Sequence, residues 1–254
     1  MAESLSEIAS RYNTDKSVHY HYTQNYERFL DPLRDSEVRL LELGIKDGGS
    51  LLMWRDYFRA GMIFGLDIEP SRLTDGGLRI KTYQGRQEDK ALLDSIAADA
   101  APQGFDVIID DCAHIGVLAR ESFRHLFYEH LKSGGWYVIE DWGTGYWDSW
   151  VDGSSYRLQP KSFSRILYRM TRAAHRLAVA GIPLVSTLAA GVKRSLGLRQ
   201  INRHDHGMVG FVKELIDEVG LPDRTHPHNG KGASQRSCIA EMHIFQSHAF
   251  LKKA

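Results

Sequence analysis

Two stretches constrain this chain most, because each is an apolar strand that ends in acidic side chains. The first, FDVIIDDCAH, runs from Phe105 to His114. Its β-branched and aromatic residues predict a short buried strand, and Asp110, Asp111 and His114 follow directly. Ligands of open α/β sheets bind at the carboxyl ends of the strands, so these side chains indicate a site.

The second stretch repeats the arrangement. In GGWYVIEDWGTGYW, a predicted strand from Trp136 to Ile139 leads into Glu140 and Asp141. Two strand ends would thus present four carboxylates and a histidine. The alternative is that these residues are solvated loop carboxylates and helix caps. Their occurrence at two strand ends in succession favours a site.

A strand, a glycine turn and a helix precede these stretches, in VRLLELGIKDGGSLLMWRDYF. The turn contains Gly44, Gly48 and Gly49, and Ser50 is predicted to cap the amphipathic helix. Glycines let a backbone approach a ligand, and a helix N-terminus offers free amide groups. The spacing matches neither G-x-G-x-x-G nor the phosphate-binding loop, so neither classical nucleotide fingerprint is present.

The next two strands also end in polar residues. The strand Met62 to Leu66 ends in Asp67, about twenty residues past the glycine turn, where an acidic side chain can accept hydrogen bonds from ribose hydroxyls. A third strand, Leu78 to Tyr83, is followed by Gln84, Gln87 and Glu88. These three residues could contact an adenine or line a surface turn.

Alternating strands and helices over residues 38–141 predict a parallel, doubly wound α/β sheet. The last residues, SCIAEMHIFQSHAFLKK, predict a hairpin-like pair of strands that completes it. Near the start, Asn13 to Asp15 could begin a helix with an apolar stripe on Tyr22, Tyr26, Phe29 and Leu30. This segment is either a helix that caps the sheet or a lid whose Thr14, Lys16, His21 and Tyr22 reach a ligand.

The bulk composition narrows the class of protein. The 254 residues contain as many Lys and Arg as Asp and Glu, so the charge gives no indication of a nucleic-acid partner. Two cysteines are too few for a disulfide framework, and the N-terminus has no apolar signal core. We expect a soluble cytoplasmic protein that forms a homo-oligomer, without a membrane span.

Residues 153–206 interrupt the alternation of strands and helices. From Gly153 to His204 there are ten Lys or Arg and no Asp or Glu. This cationic insertion is a solvated surface helix, a lid over an extended or acidic substrate, or a membrane-surface contact. The predicted organisation is a cap over residues 1–36, an α/β core over 37–152, the insertion over 153–206, and a helix and strands over 207–254.

The motifs ELGIKDGGSL, GLDI, IIDDCAH and IEDWGTGYW, in this order, resemble those of metal-dependent sugar O-methyltransferases of macrolide-antibiotic tailoring. These enzymes form a broad group with the cephalosporin-hydroxylase-like proteins. Similar enzymes act in mycobacterial methylated-polysaccharide assembly. The stretches NTDK, HYHY and EMHIFQSHAFLKK also look like that group, so the resemblance covers most of the chain outside the insertion.

The resemblance implies a class I methyltransferase fold with a seven-stranded sheet, S-adenosylmethionine as cofactor and Mg²⁺ or Mn²⁺ beside it. The site residues it implies, together with those that the glycine turn and strand ends indicate, fall into three groups. Those expected to bind the cofactor are Thr14, Lys16, Glu42, Gly44, Gly48, Ser50, Asp67, Gln87 and Asp110. The expected metal ligands are Asp111, Glu140 and Asp141. His114 is the expected base, acting with Asp111. Cys112 and Ala113 stand where the resemblance leads us to expect small residues such as Gly-Ser.

The residues themselves, without the resemblance, also suit metal-assisted methyl transfer to a sugar hydroxyl. A sugar hydroxyl has a pKa far above 7 and is a weak nucleophile, and oxygen-rich sites suit Mg²⁺ or Mn²⁺, which can acidify it. His114 could then accept the proton, which as general-base catalysis is worth roughly 10²–10⁴-fold. Tyr146, Trp147 and Trp150 could stack on sugar rings or anchor a loop. The acceptor would be a glycoside, oligosaccharide or polysaccharide precursor.

Two other classes of function remain open at this point. A nicotinamide-dependent oxidoreductase uses the same kind of sheet, although the missing G-x-G-x-x-G argues against it. A non-enzymatic metal- or carbohydrate-binding module would instead bind acidic glycans or lipids through the arginine-rich face of the insertion.

Overall fold

The computed structural model describes residues 3–17, 22–73, 77, 79–155, 205–226, 228 and 235–254. They lie within one compact unit, Met1–Ser155 with Asp205–Ala254. Residues 156–204 of the predicted insertion, and with them the arginine-rich face, lie outside the described residues, as does His21.

The described residues form a seven-stranded sheet, as the sequence predicts. Its strands are β1 (Arg39–Leu43), β2 (Met62–Asp67), β3 (Ile80–Gln84), β4 (Phe105–Asp110), β5 (Leu131–Glu140), β6 (Ile239–Ile244) and β7 (His248–Lys253). The order across the sheet is β3-β2-β1-β4-β5-β7-β6. The first five strands are parallel, and β7 runs antiparallel to both β5 and β6. The predicted mostly parallel, doubly wound fold is therefore confirmed.

The strand order reverses between β1 and β4. The chain proceeds from β1 to β2 and β3 on one side, then crosses to β4 and β5 on the other. Leu43 at the end of β1 is in register with Asp110 at the end of β4. Connections diverge from this point, and they leave a crevice above the carboxyl ends where ligands of such sheets bind.

Helices cover both faces of the sheet. They are α1 (Leu5–Ala9), α2 (Tyr22–Leu30), α3 (Gly49–Tyr57), α4 (Lys90–Ala100), α5 (Gly116–His125), α6 (Val151–Ser155), α7 (Gly207–Val219) and α8 (Leu221–Arg224). Short 3-10 turns occupy Asp15–Ser17, Asp31–Leu33 and Trp142–Tyr146, and a π-helical turn occupies Leu126–His130. Among the described helices, none has the length and apolar character needed to cross a membrane.

Buried apolar residues form two clusters, one on each face of the sheet. Leu40 packs in one cluster and its neighbour Leu41 in the other, because successive side chains of a strand point to opposite faces. Val107 and Ile108 on β4 divide in the same way. Burial on both faces explains why these strands read as continuous apolar runs rather than as alternating ones.

The N-terminal helices pack on the same face as α3. Leu5 and Ile8 of α1 belong to the cluster around Trp54, and Tyr26 of α2 is fully buried with its ring 4.8 Å from that of Trp54. The predicted apolar stripe of this segment is confirmed. Its predicted start is wrong, because Asp15–Ser17 forms a single 3-10 turn and α2 begins at Tyr22.

Two further local predictions differ from the structure. Ser50 does not cap α3: the N-cap is Gly48 in a left-handed conformation at φ 80°, and Ser50 lies inside the helix with its hydroxyl bonded to Glu42. The apolar spacing from Val117 to Leu131 predicts one continuous amphipathic helix, but α5 ends at His125 and the chain continues as the π turn.

One buried carboxylate joins two helix starts next to the crevice. Asp152 is 5% exposed, and its Oδ2 accepts hydrogen bonds from the backbone N–H groups of Gly116 and Met208, both at 2.8 Å. These amides lie in the first turns of α5 and α7, where helices have no internal partners for them. Asp152 lies in α6 and therefore fixes the starts of α5 and α7 to that helix.

We expect Asp152→Ala to lower the free energy of unfolding by about 2–4 kcal/mol, because two buried amides lose a charged acceptor. Asp152→Asn keeps an oxygen acceptor and should cost less. Denaturant titration measures both, with Asp148→Ala as the matched control at an exposed position in the turn before α6. An Asp152→Ala variant as stable as the Asp148→Ala control would contradict this role.

Candidate functional site

A cleft of about 720 Å³ lies over the carboxyl ends of the central strands. Its wall is built from the turn after β1, the end of β2, the turn after β3, and the segment that follows β4. Residues 13–16 and the aromatic segment after β5 complete it. The strand ends that the sequence singles out therefore meet in one concave site.

The turn after β1 requires glycine at its first position. Gly44 has φ 84°, and a Cβ atom there would lie 2.1 Å from the carbonyl oxygen of Asp111. The loops after β1 and β4 can approach this closely only because position 44 has no side chain. Lys46 in the same turn also has a positive φ, of 45°.

Asp67 holds this turn in place. Its Oδ2 accepts hydrogen bonds from the backbone N–H groups of Ile45 at 2.8 Å and Lys46 at 3.0 Å, and its Oδ1 accepts one from Glu69 N–H at 3.0 Å. A carboxylate offers about four acceptor positions, so these three bonds leave Asp67 able to accept another. The residue predicted to bind ribose hydroxyls thus also shapes the loop beside it.

Lys16 places a buried ammonium group among three carboxylates from neighbouring strands. Its Nζ lies 2.5 Å from Asp111 Oδ2, 3.0 Å from Glu140 Oε1 and 3.4 Å from Glu42 Oε1, and the residue is 2% exposed. Burial alone would lower the pKa of Lys16, but attraction by the three carboxylates outweighs it and raises that pKa well above its ordinary value. Lys16 is therefore charged.

One ammonium group does not neutralise three carboxylates. Burial and the nearby Glu140 carboxylate raise the pKa of Asp111 to about 7, against the attraction of Lys16. Burial likewise raises the pKa of Glu140 to about 7 and raises that of Glu42. These carboxylates therefore tend to take up protons, and a further cation beside the cluster would stabilise their charged forms instead.

A second group of side chains faces the cleft. Asp111, His114 and Asp141 each offer one ligand atom, and these atoms lie within 4.8 Å of one another. His114 Nε2 is 3.7 Å from Asp111 Oδ1 and 3.8 Å from Asp141 Oδ2, too far for hydrogen bonds. Asp111 and Asp141 are close enough to hold a cation between their carboxylates, and the imidazole of His114 would then lie beside that cation with Nε2 free of it.

The backbone at both loops is unusual. His114 and Asp141 adopt left-handed conformations, with φ of 49° and 50°. Non-glycine residues adopt this conformation uncommonly, and those that do are enriched at functional sites. Thr144 links the two loops, since its hydroxyl donates to the carbonyl oxygen of Asp141 at 2.9 Å and to that of His114 at 3.4 Å.

Two tyrosines of α2 orient the carboxylates from behind. Tyr22 O–H donates to Asp141 Oδ1, and Tyr26 O–H donates to Glu140 Oε1. His248 packs between them, with its ring centroid 3.7 Å from that of Tyr22. From the sequence, Tyr22 is a candidate lid residue, whereas Tyr26 belongs to the apolar stripe and its polar role is missed.

Most of the predicted site residues meet in the cleft. Those that line it are Thr14, Lys16, Gly44, Ser50, Asp67, Gln87, Asp111, His114 and Asp141. Four others are buried and do not line the cleft: Glu42, Gly48, Asp110 and Glu140. Sequence reasoning missed Asn13 and Thr144, which also line the cleft, and nothing in the local pattern indicates either one.

Asp110 and Gln87 are engaged with each other. Gln87 Nε2 donates to Asp110 Oδ1 at 3.2 Å, and Ser122 and Tyr137 hydroxyls donate to Asp110 Oδ2. Gln87 Oε1 accepts a hydrogen bond from Ala113 N–H at 3.1 Å. The structure thus brings Gln87 to the wall and keeps Asp110 beneath it, so a direct cofactor contact by Asp110 stays a prediction.

Aromatic side chains flank the His114 side of the cleft. Trp147 lines it and is 54% exposed, and the Trp150 ring lies 5.9 Å from that of His114. Tyr146 is 53% exposed but does not line the cleft. Of the two interpretations of these aromatics, the exposure of Trp147 favours ligand stacking over anchoring in the core.

No family model matches the chain. Among solved structures, it superimposes with a TM-score of 0.69 and 30% identity on the MycE methyltransferase of the mycinamycin biosynthetic pathway in complex with Mg and SAH. That match covers 100% of this chain and 55% of MycE.

Two curated relatives agree. The 8-demethyl-8-(2-methoxy-alpha-L-rhamnosyl)-tetracenomycin-C 3'-O-methyltransferase of Streptomyces olivaceus is 34% identical over 222 residues, which are 82% of this chain and 56% of the relative. The mycinamicin VI 2''-O-methyltransferase of Micromonospora griseorubida is 45% identical over 151 residues, which are 56% of this chain and 37% of the relative. The chain thus spans about half or less of the length of these relatives. The resemblance seen in the motifs is confirmed: the homologues of this chain are sugar O-methyltransferases of macrolide and tetracenomycin pathways.

Proposed function

We propose that this chain is an S-adenosylmethionine-dependent, divalent-metal-assisted O-methyltransferase that acts on a sugar hydroxyl of a glycosylated acceptor. The single observation that carries the proposal is the cleft, in which the glycine turn with Asp67 adjoins the group Asp111, His114 and Asp141. One half suits a nucleoside and the other a cation, and both open into the same space. The Mg and SAH of the MycE complexes support this assignment.

The cofactor half is suited to a ligand that is itself positively charged. S-adenosylmethionine carries a sulfonium group, and the buried carboxylates around Lys16 outnumber its single ammonium group. The close approach of Gly44 to the β4 loop and the remaining acceptor capacity of Asp67 provide for the methionine and ribose parts. Thr14 and Lys16 line the cleft from the N-terminal side and would close over the cofactor.

The metal half fits a hard divalent ion. Asp111 and Asp141 supply carboxylate oxygens of the kind Mg²⁺ prefers, near a surplus of negative charge. Glu140, the third predicted ligand, is bonded through Oε1 to Tyr26 and Lys16, so binding an ion requires it to share or exchange those bonds. The chemistry that a divalent ion supplies here is Lewis acidity, which makes a sugar hydroxyl easier to deprotonate.

His114 is the proton acceptor in this proposal. Its side chain is 13% exposed at the cleft wall, so Nε2 can reach a bound hydroxyl. Asp111 and Asp141 lie within 4 Å of that nitrogen and would stabilise the imidazolium that forms. Tyr22 and Thr144 fix Asp141, while Trp147 and Trp150 provide an apolar face that orients a sugar ring and excludes water.

The acceptor is proposed to be a small glycosylated molecule, since the relatives methylate sugars of macrolides and tetracenomycin. The structure of MycE with Mg, SAH and mycinamycin VI agrees with that class. A polysaccharide precursor remains the alternative acceptor. The cytoplasmic location and the homo-oligomer expected from the sequence stay predictions.

Calorimetric titration of S-adenosylhomocysteine, with Mg²⁺ and after chelation, tests the cofactor half. We expect binding by the unaltered chain and a loss of about 10- to 100-fold in affinity for Asp67→Ala, because hydrogen bonds to a charged group and the loop they hold are lost. Glu69→Ala is the matched control, since it removes an equal charge at an exposed neighbouring position. Absence of binding under every condition would refute the proposal, and binding of a nicotinamide cofactor instead would favour the oxidoreductase alternative.

The role of His114 is tested by methyl transfer from labelled S-adenosylmethionine to a panel of glycosides with vicinal diols. We expect His114→Ala to lower kcat by roughly 10²–10⁴-fold while S-adenosylhomocysteine still binds, because only the proton acceptor is removed. His228→Ala, an exposed histidine outside the cleft, should behave as the unaltered chain. Unchanged turnover in His114→Ala would exclude the assigned role.

Trp147 is tested with the same assay. We expect Trp147→Ala to raise KM for the acceptor about 2- to 12-fold with little change in cofactor affinity, which is the range expected for an aromatic stacking contact. Tyr146→Ala removes an adjacent, equally exposed aromatic ring that does not line the cleft, so it should leave KM unchanged. Equal effects of the two substitutions would show that Trp147 has no specific contact with the acceptor.

A further inference from the structure

A second group of metal-ligating side chains lies outside the cleft. Asp94 is on α4, His125 ends α5, and His130 ends the π turn. Both imidazole Nε2 atoms lie 2.7 Å from the same oxygen, Asp94 Oδ1. One ligand atom from each residue lies within 4.8 Å of the others, and none of the three residues lines the cleft.

The π turn is what brings the two histidines together. Residues five apart on an α-helix point about 140° away from each other, because each residue advances about 100°. Here the backbone N–H of Leu131 bonds to the carbonyl oxygen of Leu126, a five-residue step that widens the turn. His125 and His130 therefore share a face, with ring centroids 5.1 Å apart.

The two histidine side chains are more buried than the Asp94 side chain and therefore less free to move. The side chains of His125 and His130 are 15% and 20% exposed, so their rings are held by packing. Asp94 is 56% exposed and can adjust its position. Two fixed nitrogens and one adjustable carboxylate can close on an ion about 2.0–2.2 Å from each ligand atom.

The ligand types indicate the ion. Imidazole nitrogens suit Zn²⁺ and similar transition metals better than Mg²⁺, which prefers oxygen throughout. Three protein ligands with a fourth position left to water is a common arrangement for Zn²⁺. If Asp94 only accepts two hydrogen bonds, replacing either histidine leaves metal binding unchanged.

We propose that Asp94, His125 and His130 form a binding site for Zn²⁺ or a similar transition-metal ion, which links α4 to the connection between α5 and β5. This site is independent of the proposed methyl transfer. Binding an ion to the folded chain alone would stabilise it by mass action.

Equilibrium dialysis against Zn²⁺ with elemental analysis, and calorimetric titration with Zn²⁺, test the proposal on the full chain. The key variants are His125→Gln and His130→Gln, because the Gln amide still donates to Asp94 but offers no aromatic nitrogen. We expect each to bind one zinc fewer per chain, or to bind it about 10- to 100-fold more weakly. Zinc held by the cleft group is common to all the proteins and cancels in the difference.

His243→Gln is the matched control, because His243 pairs with Glu241 at 3.2 Å, and within the part of the chain that the structure describes this pair belongs to no metal-ligating group. It should bind zinc as the unaltered chain does. Thermal unfolding in EDTA checks that every variant folds, and added zinc should raise the Tm of the unaltered chain more than that of His130→Gln. Equal stoichiometry and affinity in the unaltered chain, His125→Gln and His130→Gln would overturn the proposal and leave Asp94 as a hydrogen-bond acceptor only.

Discussion

The buried ammonium group of Lys16 is the interaction on which the rest of the site depends. Glu42, Asp111 and Glu140 lie at or next to the carboxyl ends of three adjacent strands, so the sheet itself brings their carboxylates together. Without a buried cation, these carboxylates, which are shielded from water, would repel one another and take up protons. Lys16 comes from the N-terminal segment, and its contacts fasten that segment to the sheet.

This arrangement joins the two halves of the cleft through one residue. Asp111 uses Oδ2 for Lys16 and turns Oδ1 toward His114. Asp111 therefore belongs both to the buried cluster around Lys16 and to the group that faces the cleft, so a change in the charge of the cluster acts directly on the cleft. Because Tyr22 and Tyr26 donate to Asp141 and Glu140, helix α2 also fixes the orientation of the carboxylates that close the site.

Much of the architecture could be predicted from the sequence because it follows from local patterns. Continuous apolar runs indicate strands buried on both faces, and the acidic residues after FDVIID and WYVIE indicate strand ends at one edge. What could not be predicted depends on contacts between distant parts of the chain. Lys16 and Asp111 are separated by 95 positions, and no periodicity indicates that they pair.

Other contacts that the sequence does not predict also join residues that no local pattern relates to each other. Tyr26 has the spacing of a core residue and is buried as one, yet its hydroxyl reaches Glu140 across the helix–sheet interface. Asp152 joins two helix starts that are 92 residues apart, which a reading of either helix alone does not reveal. His125 and His130 are five residues apart, a spacing that puts side chains on different faces of an α-helix. The π turn is what places them side by side.

The left-handed backbone at His114 and Asp141 has a consequence for how this chain can change. Glycine would adopt both conformations without a steric penalty, and at each position it would relieve roughly 1 kcal/mol of strain. It would also remove an imidazole and a carboxylate from the cleft. At these two positions the residue with the least backbone strain offers no side chain to the cleft, so selection for thermal stability alone would favour loss of both groups.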